Sequence, residues 1–216
     1  MNPRYEPLLR LIRDHESEGA ARKQKISAYD VVWGGIKPQH RPPKPLRSMT
    51  VGEVLLWQDS IDSLYMSEAA GAYQIMEDTL RSLVTKGKVK LSEKFDEATQ
   101  DRLAIVLLEH RGLTSFMTGK ISDEMFAQNV SMEWASLPCV IKDKRGRPAT
   151  GQSYYAGDGL NKSSTSIAKF LSCLASMKAK SLPPLAPAEP TPAPGLFEAL
   201  LAALIGALKA LGSRKG

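Results

Sequence analysis

Apolar side chains recur at helical spacing near the start of the chain, where Leu8, Leu9, Leu11 and Ile12 make one core-facing stripe. Asn2-Pro3 supplies a cap and a fixed first turn for this helix, which gives out near His15-Glu16. The pattern then changes. Residues 27–36 carry Tyr29, Val31, Val32 and Trp33 ahead of Gly34-Gly35, which predicts a short strand and turn in a small β-hairpin. Prolines between 37 and 48 let neither element continue, and Thr50-Val51-Gly52-Glu53 is a capping box that opens a helix through Gln58. Further helical patterns cover 73–86, stopped by Gly87, then 96–110, stopped by Gly112, and 123–137, stopped by Pro138. A polar, glycine-bearing loop over 142–161 leads to Ile167, Phe170, Leu171, Leu174 and Met177, whose spacing predicts the helix that closes the domain.

Residues 183–194 are mostly Pro and Ala, the composition of an extended semi-rigid linker. Beyond it Phe197, Leu201, Leu204, Leu208 and Leu211 return at steps of three and four, with Ala, Gly and Lys209 on much of the other side. The uncharged run between Glu198 and Lys209 is far shorter than the roughly 20 residues of a spanning helix, so this segment is expected to lie on membranes rather than cross them. Self-association or docking on the domain is the competing reading. The expected fold class is α+β, mainly α: a domain over 1–180 with a small hairpin or sheet, a linker over 181–195, and an amphipathic, membrane-active helix over 196–216.

A chain of 216 residues, 43% of them hydrophobic, has room for one well-buried domain with an appendage. Its formal charge of +6 suits an anionic partner, whether nucleic acid, a membrane surface or cell wall. The longest basic cluster, Lys142-Asp143-Lys144-Arg145-Gly146-Arg147, has no interleaved aromatics, which speaks against a nucleic-acid groove. Cys139 and Cys173 lack CxxC spacing, and His15, His40 and His110 form no pair at ligand spacing, so no zinc site is expected and the thiols read as free and buried. The start, Met1 to Glu6, lacks the charged, apolar and cleavage regions of a signal peptide.

Cleaving a glycoside requires a carboxylic acid that protonates the leaving oxygen, and burial keeps such an acid protonated near neutrality. Glu16, at the end of the first helix, stands where such a group could act, although position alone is weak evidence. Several segments in order add to it. Leu8-Leu9-Arg10-Leu11-Ile12 leads to Glu16; Tyr29-Asp30-Val31-Val32-Trp33-Gly34-Gly35 and Ala70-Gly71-Ala72-Tyr73-Gln74-Ile75 follow; then come Gln100 to Ile105 with Glu109-His110-Arg111-Gly112, Trp134-Ala135-Ser136-Leu137-Pro138, and Gly151-Gln152. Taken together, residues 5 to 175 resemble the lambda-phage endolysin family, lytic transglycosylases with a lysozyme-like fold. Glu18 in Ser17-Glu18-Gly19 offers a competing register, but the upstream apolar spacing aligns Glu16 without a gap. Ala72 stands where these proteins often carry arginine, and 142–150 interrupts their usual short Pro-to-Gly-Gln connection.

The resemblance implies a peptidoglycan substrate and a catalytic Glu16. It also implies substrate contacts from Gly71, whose backbone would approach the sugar, and from Tyr73, Gln74, Trp134 and Gln152 along the cleft. Glu16 would protonate the bond between N-acetylmuramic acid and N-acetylglucosamine, then act as base while the muramoyl 6-hydroxyl closes a 1,6-anhydro ring. No metal or organic cofactor and no nucleic acid is implied, and the monomer is the expected state. Such a protein would be made in the host cytoplasm and reach the wall after release. A hydrolytic muramidase would want a second carboxylate about 5 to 10 Å across the bond; Asp30 is the nearest later acid, in a segment that reads as a hairpin. A non-enzymatic wall- or membrane-binding protein acting through the C-terminal helix is the remaining alternative.

Overall fold

The computed structural model describes residues 3–141, 150–157 and 161–179, all within a compact unit spanning Met1–Ser181. The basic cluster 142–147, the linker 181–195 and the amphipathic helix 196–216 lie outside the described residues. The described chain is mainly helical. Its helices are α1 (Glu6–Glu16), α2 (Glu18–Gln24), α3 (Val51–Ile61), α4 (Glu77–Thr85), α5 (Glu97–His110), α6 (Leu113–Met117), α7 (Asp123–Ser131) and α8 (Ile167–Ala179).

The stripe on α1 is fully buried at Leu8, Leu9 and Ile12. α8 packs against α1 and α7, burying Phe170, Leu174 and Met177 on one face. Stacked Phe116 and Phe126, 4.5 Å apart, join α6 to α7. Polar caps set the helix starts. Thr50 Oγ1 accepts from Glu53 N–H at 3.2 Å while Glu53 Oε2 accepts from Thr50 N–H at 2.7 Å, completing the expected capping box. Asp96 accepts from Thr99 N–H, and Ser122 from Met125 N–H, at the starts of α5 and α7.

Several sequence expectations change. α1 opens at Glu6 with Pro7 in its first turn, so Pro7 rather than Pro3 supplies the fixed φ and the dispensable N–H. Residues 27–36 form no hairpin: Ala28–Asp30 is a 3-10 turn capped by the Ser27 hydroxyl, followed by one isolated antiparallel bridge, Val32 to Ala70. The aromatic and β-branched residues here are chosen for burial, since Val31 and Val32 are core side chains without a strand partner of their own. α4 starts four residues later than the apolar spacing suggests because residues 71–74 make a tight turn. α7 stops at Ser131, and Trp134 and Leu137 continue the apolar rhythm in a turn.

Candidate functional site

α1 ends on purpose at its last residue. Ser17 leaves the helical backbone at φ −134°, and its hydroxyl donates to the Ala72 carbonyl at 2.9 Å, after which α2 restarts at Glu18. The break points the Glu16 carboxyl toward the turn after α7. There Oε1 accepts from the Ser136 hydroxyl at 2.5 Å and from its N–H at 3.4 Å. Ser136 is held in turn by Ser164, whose N–H donates to the Ser136 carbonyl at 2.9 Å. Burial pushes the Glu16 carboxyl above the ordinary carboxylate range, and the two Ser136 bonds, which favour the ionised form, hold the rise back. The carbonyl end of α1 is itself unfavourable to a negative charge.

Glu16 lines a cleft of about 540 Å³, together with Trp33, Gln74, Glu133 and Trp134. Met66 and Met76 add exposed apolar surface to it. One further carboxylate among the described lining residues, Glu133, is bound at 2.8 Å by the Arg111 guanidinium. Gln74 enters the cleft from a left-handed position, φ +49°, and its amide nitrogen donates to the Gly71 carbonyl at 2.7 Å. Trp134 is 3% exposed and donates its indole N–H to the Tyr73 carbonyl at 3.1 Å, so only an edge reaches the cleft.

Gly71 and Tyr73 do not line the cleft. Gly71 has φ +80°, and a Cβ there would lie 2.2 Å from Gln100 Oε1; its bare side faces Gln100 and Phe95. Gln100 uses that space to knit three segments, accepting from Ala72 N–H at 2.9 Å and donating to the Tyr29 and Phe95 carbonyls at 3.0 and 2.8 Å. Tyr73 is 1% exposed. Its hydroxyl donates to Asp101 at 2.5 Å and accepts from Arg13 at 2.8 Å, while the Tyr29 hydroxyl donates to the same Asp101 oxygen at 2.8 Å. Burial and the bond to Asp101 push both phenols well up, so they remain neutral donors. This cluster also clarifies Ala72: the local cation comes from Arg13 on α1, and Ala72 is fully buried with both backbone polar groups bonded.

Gln152 is exposed and lines a neighbouring hollow of about 450 Å³ with Gly151, Ser153 and Asn161. Asn161 lines the main cleft as well. Glu18 opens α2 outside the cleft lining. Asp30 accepts from the Arg47 N–H at 3.0 Å and its guanidinium at 2.9 Å, a structural role. Trp33, Arg111 and Ser136 join the site from segments whose order the sequence showed, although no role was expected of them, and Glu133 joins it from outside those segments. The Gly-Gly pair beside Trp33, which accommodates its ring, was the available signal. Among the described residues no three His, Cys, Asp or Glu side chains gather as a metal site, and no helix is long and apolar enough to cross a membrane.

A family model described as endolysin matches residues 7–156. The chain belongs to the endolysin family. The match covers α1 from Pro7 onward, the Gly71–Gln74 turn and the Trp134–Ser136 segment, so every wall of the cleft except Asn161 falls inside it. This endolysin is thus a peptidoglycan-degrading protein with a lytic role at the bacterial cell wall. No curated protein and no solved structure matches it.

Proposed function

We propose that this endolysin has a lysozyme-like domain that cuts the β-1,4 bond between N-acetylmuramic acid and N-acetylglucosamine, with Glu16 as acid and then base. The observation that carries the proposal is a desolvated carboxyl of raised pKa on the wall of the cleft. Protonated Glu16 gives its proton to the glycosidic oxygen as the bond to the muramoyl C1 breaks. The resulting carboxylate takes the proton of the muramoyl 6-hydroxyl as that oxygen bonds C1. The products are a free 4-hydroxyl on N-acetylglucosamine and a 1,6-anhydromuramoyl end, and no water is consumed. Gln74 and the edge of Trp134 contact the glycan, Gln152 extends the contact along the neighbouring hollow, and Gly71 and Tyr73 act by holding the Gln74 turn.

Hydrolysis by a muramidase is the second reading, because Glu133 places another carboxylate on the same cleft. Its bond to Arg111 favours the first reading by committing that carboxylate elsewhere. Mass spectrometry of the released muropeptides separates the two: anhydro ends, one water lighter than reducing ends, are expected, and reducing ends alone would overturn transglycosylation. Glu16→Gln should lower clearing of purified walls by about 10²- to 10⁴-fold, the usual contribution of a general acid. Clearing at the wild-type rate would remove Glu16 from the mechanism and favour a non-enzymatic role.

The C-terminal segment 196–216 is proposed to bind bilayers through its leucine face, on the strength of its spacing and its flanking Lys209, Arg214 and Lys215. Truncation after Leu182 should abolish binding to anionic liposomes. Unchanged liposome binding would assign that helix to self-association or docking instead.

A further inference from the structure

The chain has three tryptophans, and they are used differently. Trp57 and Trp134 are buried, and each gives its indole N–H to a carbonyl, of His40 at 2.9 Å and of Tyr73 at 3.1 Å. This is how an interior tryptophan satisfies its one donor. Trp33 is only half-buried and lines the Glu16 cleft. Among the described residues its indole N–H has no protein acceptor.

Trp33 is nevertheless held firmly. Its backbone N–H donates to the Ala69 carbonyl at 3.2 Å, and its own carbonyl accepts from Ile36 N–H at 3.2 Å, closing the turn through Gly34-Gly35. The benzo end of the indole lies over Gly35: a Cβ at that position would meet Cη2 and Cζ3 at 2.2 Å and Cε3 at 2.8 Å. Gly35 has no unusual φ, so the glycine is required by the ring and not by the backbone. Tyr65 meets the indole edge-on, with centroids 6.4 Å apart and planes at 67°. A large aromatic surface is thus fixed in one orientation at a cleft wall, with a donor left over for whatever enters.

We propose that Trp33 is a sugar-binding platform of this cleft. An N-acetylhexosamine ring packs its apolar C–H face on the indole, and a hydroxyl or acetamido oxygen accepts the indole N–H. Gly35 is a positioning residue that acts only through the ring. The inference deepens the glycan-cleaving reading and names the side chain that grips the strand.

The test uses the full chain carrying Glu16→Gln, titrated with N-acetylglucosamine hexamer. The indole N–H resonance of Trp33 should move on binding, while that of buried Trp57 stays. Adding Trp33→Leu should weaken binding about tenfold, the size of one lost aromatic contact. Gly35→Ala should cause a similar loss by evicting the ring, and the two changes together should be no worse than Trp33→Leu alone. An unmoved Trp33 resonance at saturating hexamer overturns the proposal, as does unchanged affinity in Trp33→Leu or an additive loss in the double variant. The readout is binding, so it stands apart from the catalytic reading: murein digestion by the Glu16→Gln chain would sink that reading and leave the platform to be decided by the titration.

Discussion

Gly71→Ala separates two roles for this glycine, backbone approach to a sugar and room for Gln100, by asking where the missing side chain would go. At φ +80° an alanine adopts a left-handed backbone that costs roughly 1–2 kcal/mol. Its Cβ would fall 2.2 Å from Gln100 Oε1, the end of a side chain that can swing but cannot do so freely. Swinging it breaks at least the bond from Ala72 N–H, and leaving a buried group unpaired costs about 1–3 kcal/mol. The expected destabilisation is therefore about 2–5 kcal/mol, a large part of the roughly 5–15 kcal/mol that holds an ordinary domain together. Urea unfolding followed by far-ultraviolet circular dichroism measures it as a lower midpoint with an unchanged slope. In the cold, where the variant remains folded, affinity for N-acetylglucosamine hexamer should be nearly unchanged. A variant of wild-type stability that has lost hexamer binding would refute the reasoning and return Gly71 to the sugar.

Other perturbations read out the acid and its support. Burial raises the Glu16 pKa in the folded state, so the folded protein keeps a proton that the unfolded chain has already released, and stability declines as pH rises from the ordinary carboxylate value through the raised one. Glu16→Gln removes that penalty, and thermal unfolding should show a higher midpoint above this window and no gain below it; a gain of equal size at acid pH would exclude the desolvation account. Ser136→Ala deletes the hydroxyl that favours ionised Glu16, so the alkaline limb of the pH profile for kcat/KM should move to higher pH, and a shift to lower pH would contradict the geometry. Tyr73→Phe strips one donor from Asp101 and one acceptor from Arg13, costing about 1–3 kcal/mol in urea unfolding with hexamer affinity retained. A binding defect without a stability defect would put Tyr73 back at the cleft.

What the sequence revealed and what it hid follow from the range of the forces involved. The α1 stripe, the capping box at Thr50 and the closing face of α8 are local patterns in which each residue's neighbour in space is three or four positions away, so periodicity exposes them. The place of Glu16 at the end of α1 was legible for the same reason, as the residue where the stripe ends. The 3-10 turn at Ala28–Asp30 was not, because Val31 and Val32 have the composition of a strand while their burial comes from partners such as Ala70, thirty-eight positions beyond Val32. The packing partners of Gly71 and Tyr73 were hidden because each meets them on α5, at Gln100 and Asp101, about thirty positions along the chain.

A trace of that cluster was nevertheless present. Arg13 interrupts the apolar side of α1, and Asp101 shares a helix face with Ala104 and Leu108, both fully buried. A charge on a core-facing stripe has to be matched by another, and two such interruptions on separate helices point to one internal pair. That pair lies 3.5 Å apart, with Tyr73 bonded to both partners. The same turn carries Gln74 into the cleft and binds Ser17 at the break in α1 through the Ala72 carbonyl. The acid at the end of α1 and the glutamine opposite are therefore tied to one buried polar network, which reaches Glu16 through Ser17 and Gln74 through the turn it shares with Tyr73.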